Sequence, residues 1–200
     1  MRLTTGDNHR FLQLTNDGLL QVGQVLSEMA GQEITVHSPE SRYLKIAEIP
    51  FLFGDPERPG VALYQESNGE ITEQLLLVLE LDSAQKLVDA LVGDLAPKSD
   101  IFTGLGWSAL LEVMNIIGNS FLTVIADETG LSGSVEVPSG AVDMMAAVIG
   151  SVFSLRDNGD HVRVATTEFS WGDETLKGYL LILPAPATLD RILAAGAGPR

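Results

Sequence analysis

Four polar residues, Ser108, Glu112, Asn115 and Asn119, recur at steps of four, three and four inside the otherwise apolar stretch GWSALLEVMNIIGNSFLTVIADETG. Those steps hold them on one side of a helix, while Leu110, Val113, Met114, Ile117 and Leu122 cover much of the remaining surface. A carboxylate and a carboxamide nearly one turn apart have definite uses. The amide does not titrate in a useful range and is no general base. It can hold a water through hydrogen bonds and so fix its line of attack on an electrophile. The glutamate can bind a lysine or arginine of a partner. The plainer alternative is a solvated edge, with Asn115 and Asn119 tolerated at some helical cost.

No other constellation competes. The histidines, His9, His37 and His161, are scattered without metal-ligand spacing, and none neighbours the stripe as a triad would require. The helix offers no second acid nearby for glycosidase-type chemistry. GLSGS and VPSG lack the lysine and the length of a phosphate loop. With no cysteine there is no disulfide framework, zinc-thiolate site or thiol nucleophile. Read functionally, the stripe would be half a site, with the electrophile and any metal supplied by a partner; no metal of the chain's own is expected.

Composition narrows the partner. The 200 residues are 45% apolar, enough for one sizeable core or two halves sharing one. Apolar runs break off short of the roughly 18 residues of a membrane span, and MRLTTGDNHRFLQL is no signal peptide. A cytoplasmic protein is expected. Acidic residues number 27 against 12 basic, a net charge of -15. That field repels phosphate backbones and anionic lipid, so neither nucleic acid nor membrane is an expected partner, whereas a protein with a basic patch is attracted.

The elements that must carry the stripe follow from periodicity. NDGLLQVGQVLSEMAG reads as a helix capped by Asn16 or Asp17 and stopped at Gly31. EITVHSP is a short strand, and ALYQESNGEITEQLLLVLEL a hairpin around Ser67-Asn68-Gly69. DSAQKLVDALVG is an amphipathic helix that starts at Asp82 or Ser83 and ends near Gly93. LAPKSDIFTGLG connects it to a long helix from about Trp107 to Ala126. GLSGSVEVPSG holds a short strand, and AVDMMAAVIGSVFSL a helix, or a strand after a helical turn. HVRVATTEFSWGDETLKGYLLILP is a second hairpin and PATLDRILAAG a closing helix.

The order of elements repeats. Leu81, Leu87 and Leu91 match Leu183, Leu189 and Leu193 at a spacing of 102, while the leading helices match at 91. The difference, 102 − 91, places about eleven extra residues in the second half. The chain reads as one domain, residues 1–200, of two pseudo-symmetric halves, 16–93 and 105–196, sharing a mostly antiparallel sheet.

Ser108, three residues, Glu112, two residues, Asn115, then 22 residues and Pro138 resembles the signature of the CheC, CheX and FliY phosphatases of bacterial and archaeal chemotaxis. The two-half architecture resembles CheC in particular, from about Asn16 to Ala195. The resemblance implies an α/β (α+β) fold of CheC type with long paired helices. It also implies a phosphatase for a phosphorylated CheY-type response regulator. Asn115 would orient the attacking water, and Glu112 would pair with the regulator's lysine. Ser108 would support the contact, and Pro138 would shape the backbone behind the helix. No cofactor of its own is implied, since Mg2+ sits on the regulator, and CheD, bound by some CheC proteins, is implied as a further candidate partner. At the 91-residue spacing Asp17, Gln21 and Gln24 fall where the signature has Ser or Asp, Glu and Asn. Ala47 falls where it has Pro, with Pro50 three residues late. That first site reads as degenerate. The alternative function is a non-catalytic receiver-binding or flagellar-switch scaffold of the FliY kind.

Overall fold

The run LLLVLEL is apolar without alternation because the strand it forms is covered on both faces. In the computed structural model, which describes residues 5–37, 39–92, 100–102, 104–154, 161–171 and 178–195, β4 (Glu73–Glu80) lies at the centre of the sheet, antiparallel to β8 (Gly178–Pro184). Leu75, Leu77 and Leu79 enter one apolar cluster, and Leu76 and Val78 the other. Outward from this pair run β3 (Pro59–Gly69) beside β4 and β7 (His161–Trp171) beside β8. The short strands β5 (Gly133–Val135) and β6 (Ser139–Met144) pair with β3; β1 (Ile34–Val36) and β2 (Glu40–Lys45) pair with β7. Every pairing is antiparallel.

Over one face lie α1 (Thr5–Ala30), α2 (Leu81–Val92) and α3 (Gly104–Thr129), joined by Ile192 of α5 (Pro186–Ala195). A 3-10 segment (Ile46–Phe53) and α4 (Met145–Ser154) cover the other. α1 and α3 pack closely: a Cβ at Gly18 would stand 2.6 Å from Cδ2 of Phe121, whose ring is buried. Among the described residues only α3 is long and apolar enough to cross a membrane, and half of its apolar window is buried inside the protein.

The repeat is clear in three dimensions. Helix, two short strands, helical segment, hairpin, helix occurs twice. Shifted by 99 residues, Thr5–Ala30 falls on Gly104–Thr129, Ile34–Val36 on Gly133–Val135 and Glu40–Lys45 on Ser139–Met144. Shifted by 102, Pro59–Gly69 falls on His161–Trp171. At the centre Leu77 pairs with Leu180 and Val78 with Tyr179, so the 102-residue shift exchanges these two neighbouring pairs. A pseudo-twofold axis therefore passes between them. The short strands are exchanged across it, those of the first half adding to β7 and those of the second to β3.

The long helix, the second hairpin, the strand at EITV and the stop at Gly31 (φ 62°) form as the pattern predicts. The first hairpin forms with its turn at residues 70–72, because Ser67, Asn68 and Gly69 belong to β3 and pair with β5. Four other details differ. α1 begins at Thr5, so Asn16 and Asp17 lie inside it and cap nothing; Phe11 and Leu14, both buried, extend its apolar side toward the N-terminus. α2 begins at Leu81 rather than Asp82 or Ser83. AVDMMAAVIGSVFSL gives the strand first and then the helix. β2 and the 3-10 segment had no counterpart in the reading of the sequence. The expected helix end at Gly93 lies outside the described residues.

Candidate functional site

α3 presents the stripe as its spacing requires. Ser108, Glu112 and Asn119 are exposed and Asn115 is half-buried, while Leu110, Val113, Met114 and Ile117 on the opposite side are fully buried. Ser108 donates its hydroxyl back to the Gly104 carbonyl one turn earlier (2.7 Å). Asn119 donates from Nδ2 to the Asn115 carbonyl (2.8 Å) and to Asn115 Oδ1 (3.2 Å). Pro138 lies half-buried in the connection from β5 to β6. Two residues before it, Glu136 donates its N–H to the Glu66 carbonyl of β3 (2.8 Å). Two residues after it, Gly140 sits against the Trp107 ring, 2.9 Å from where its Cβ would be. The connection is thus closed down over the start of α3.

A residue that the motif does not contain completes the arrangement. Gln65, in the inward register of β3 with Val61, Leu63 and Ser67, is 1% exposed. Its Nε2 donates to the Glu136 carbonyl (2.7 Å) and to Asn115 Oδ1 (3.3 Å). The orientation of both amides follows. A carbonyl only accepts, so Gln65 must turn Nε2 toward Glu136. The second hydrogen of that nitrogen then meets an acceptor on Asn115, which is Oδ1. With Oδ1 receiving Gln65 and Asn119, Nδ2 of Asn115 is directed away from the network. The signal for Gln65 in the sequence was an amide in the buried register of a strand.

The surroundings are acidic and partly apolar. Glu112 and Glu136 are exposed and Glu66 is half-buried. Asn68 donates to Glu136, whereas Glu66 is in the register of β3 that faces away from α3, where Tyr64 and Gln74 donate to it. Val137 is 88% exposed, and Phe102 and Leu105 stand out near the first turn of α3. Beyond the end of β3, the Ser132 hydroxyl and N–H donate to Glu70 and lower its carboxyl from its ordinary value. Among the described residues no group of three His, Cys, Asp or Glu side chains is placed to hold a metal.

The first half places its residues differently from the 91-residue match. At the 99-residue shift that superposes helices and short strands, Ser108, Glu112, Asn115 and Pro138 correspond to His9, Gln13, Asn16 and Pro39. The burial classes from His9 to Ala30 repeat those from Ser108 to Thr129 at every position except Gln21 against Ser120. Hydrogen bonds repeat as well: His37 N–H donates to the Glu168 carbonyl (2.9 Å) as Glu136 does to Glu66. Asp17, Gln21 and Gln24 therefore occupy the places of Ile116, Ser120 and Thr123, off the equivalent stripe. The first half keeps the asparagine and the proline and has glutamine for the glutamate. The extra length of the second half is three residues, 102 − 99, rather than about eleven.

An antiparallel sheet with paired long helices, doubled about a pseudo-twofold axis, is the fold of solved FliY, CheX and CheC-like proteins, which this chain resembles. Of individual relatives, the CheY-P phosphatase CheC of Bacillus subtilis (strain 168) is 25% identical over 190 residues, covering 92% of this chain and 90% of that protein. Thermotoga maritima FliY has the same fold, with a TM-score of 0.77 at 17% identity and 98% of each chain covered. The fold also matches a chain of the FliG–FliM complex from H. pylori, with a TM-score of 0.66 at 13% identity, covering 96% of this chain and 100% of that one. No family model matches the chain.

Proposed function

We propose that the protein accelerates hydrolysis of the aspartyl phosphate on a CheY-type response regulator. The observation that carries this reading is Asn115, half-buried on α3 with Oδ1 held by Gln65 and Asn119, one turn from the exposed Glu112. Nδ2 is then available to donate to a water oxygen and hold it in line with the phosphorus. The water forms the new P–O bond, the aspartyl carboxylate leaves, and inorganic phosphate carries the proton away. Charge on the phosphoryl oxygens is met by the regulator's own Mg2+ and lysine, so this chain supplies position rather than charge. Glu112 pairs with that lysine, and the net charge of -15 draws a basic surface toward it. The relationship to a CheY-P phosphatase supports the choice of substrate.

The likeness to a chain of the FliG–FliM complex favours a second reading, a scaffold that binds a receiver or flagellar-switch protein without turnover. One experiment separates them: the decay of a phosphorylated CheY-type receiver with Mg2+, with and without the protein, and with Asn115→Ala. Faster decay that the variant abolishes is the expected result. Phosphorylation-dependent binding without acceleration would make the protein a scaffold.

A further inference from the structure

The two halves offer an internal comparison that isolates what is special about α3. The β7 residue equivalent to Gln65, at the 102-residue shift, is Thr167; the α1 residue equivalent to Gly118, at the 99-residue shift, is Leu19. Both halves satisfy the same backbone acceptor. Gln65 donates to the Glu136 carbonyl, and the Thr167 hydroxyl donates to its counterpart, the His37 carbonyl. There the likeness stops. Threonine is too short to go on to the helix, whereas the Gln65 carboxamide reaches Asn115. It fits only because residue 118 is glycine: a Cβ there would collide with Gln65 Oε1. In α1 the corresponding place holds the buried Leu19. Among the described residues no hydrogen bond holds the carboxamide of Asn16.

We propose that Gln65 is the positioning residue of the α3 site, and that Gln65 with Gly118 forms the matched pair that makes α3, and not α1, competent to hold an attacking water. Packing alone does not explain an amide here. Gln65 Oε1 is buried without a hydrogen-bond partner among the described residues, and a methionine of similar length would fill the space without stranding an acceptor. The gain lies in Asn115: its carboxamide is set before any partner arrives, so binding need not order it. The consequence for turnover rests on the phosphatase reading; the positioning of Asn115 does not.

The test uses the full chain with Gln65→Met, which keeps the length and removes the donors, and the double variant Gln65→Thr/Gly118→Leu. The double variant installs residues the other half already carries at the equivalent places, so the fold has shown that it accepts them. The first readout is NMR relaxation of the Asn115 side-chain 15N–1H2 group in the free protein. It is expected to be ordered in the wild type and mobile in both variants, with the backbone spectrum of α3 retained. The second is turnover of a phosphorylated CheY-type receiver, where kcat is expected to fall about tenfold to a hundredfold with KM little changed. An Asn115 carboxamide equally ordered in the wild type and both variants would overturn the proposal, whatever the activity. Order lost in the variants, with no turnover by the wild type, would uphold the positioning and overturn the phosphatase reading instead.

Discussion

Glu73→Gln should make the protein more stable in alkaline solution and remove most of its pH dependence there. Glu73 opens β4 and is 2% exposed, with Oε1 buried and unpartnered among the described residues. Burial pushes its carboxyl up to about 8 from an ordinary value of 4.5. Because the folded pKa lies above the unfolded one, the unfolded chain releases this proton first. Stability is unaffected below about pH 4 and falls between the two values. At about 1.36 kcal/mol per unit between the two values the loss reaches about 3 kcal/mol at pH 7, and about 1.4 kcal/mol more disappears by pH 9 as the slope flattens above pH 8. Glutamine has no proton to lose and should show no such slope. Urea unfolding at pH 6, 7, 8 and 9, comparing midpoints at constant m, measures the difference. Parallel pH dependences for wild type and variant would refute the reasoning, since Glu73 would then not be titrating in the folded protein. The site should respond too, because the Glu73 N–H donates to the Ser67 hydroxyl oxygen near the end of the strand that carries Gln65.

Other outcomes follow from the same geometry. In an Asn115→Ala background any residual acceleration of receiver dephosphorylation should depend on Asn16 and not on Gln24, because the 99-residue shift puts Asn16 on the equivalent stripe; single-turnover decay of Asn115→Ala/Asn16→Ala against Asn115→Ala/Gln24→Ala decides it. Glu112→Ala should weaken receiver binding with a larger effect at low salt, read by titration across ionic strengths. Phe121→Ala, which empties the contact with Gly18 between α1 and α3, should cost about 3–5 kcal/mol in denaturant unfolding. Residues 1–93 or 105–200 expressed alone should lack cooperative thermal unfolding, because each half gives its two short strands to the other's hairpin.

What the sequence reveals of this protein is what local periodicity encodes. α3 is legible because buried and exposed positions follow the helical repeat with little interruption, and β4 and β8 because a strand covered on both faces is apolar throughout. The start of α1 is hidden because Asn16 and Asp17 are residues that usually cap helices, and only packing of Phe11 and Leu14 against the core carries the helix past them. β2 is hidden because most of its side chains face water and its partner β7 lies more than a hundred residues away. The register of the repeat is misread for a related reason. Matching glutamines at 91 residues follows side-chain type, whereas the sheet pairings and the burial pattern follow backbone position and give 99.

That register changes what the duplication means. Asn16 and Pro39 stand where Asn115 and Pro138 stand, so α1 keeps the amide and the turn but lacks two things. One is charge, since Gln13 cannot pair with a lysine as Glu112 can. The other is support, and that comes from the opposite half: Asn115 belongs to α3, yet the amide that fixes it belongs to β3. The strand exchange explains how this arises. β5 lies along β3, which brings the Glu136 carbonyl and the α3 stripe together over Gln65. The α3 stripe is thus completed by a hairpin of the other half, and a difference in one half decides whether the stripe of the other is held. Gln65 against Thr167 is such a difference. A duplicated chain can in this way keep one burial pattern on both helices while only one of them carries a supported amide, because the deciding residue lies on neither helix.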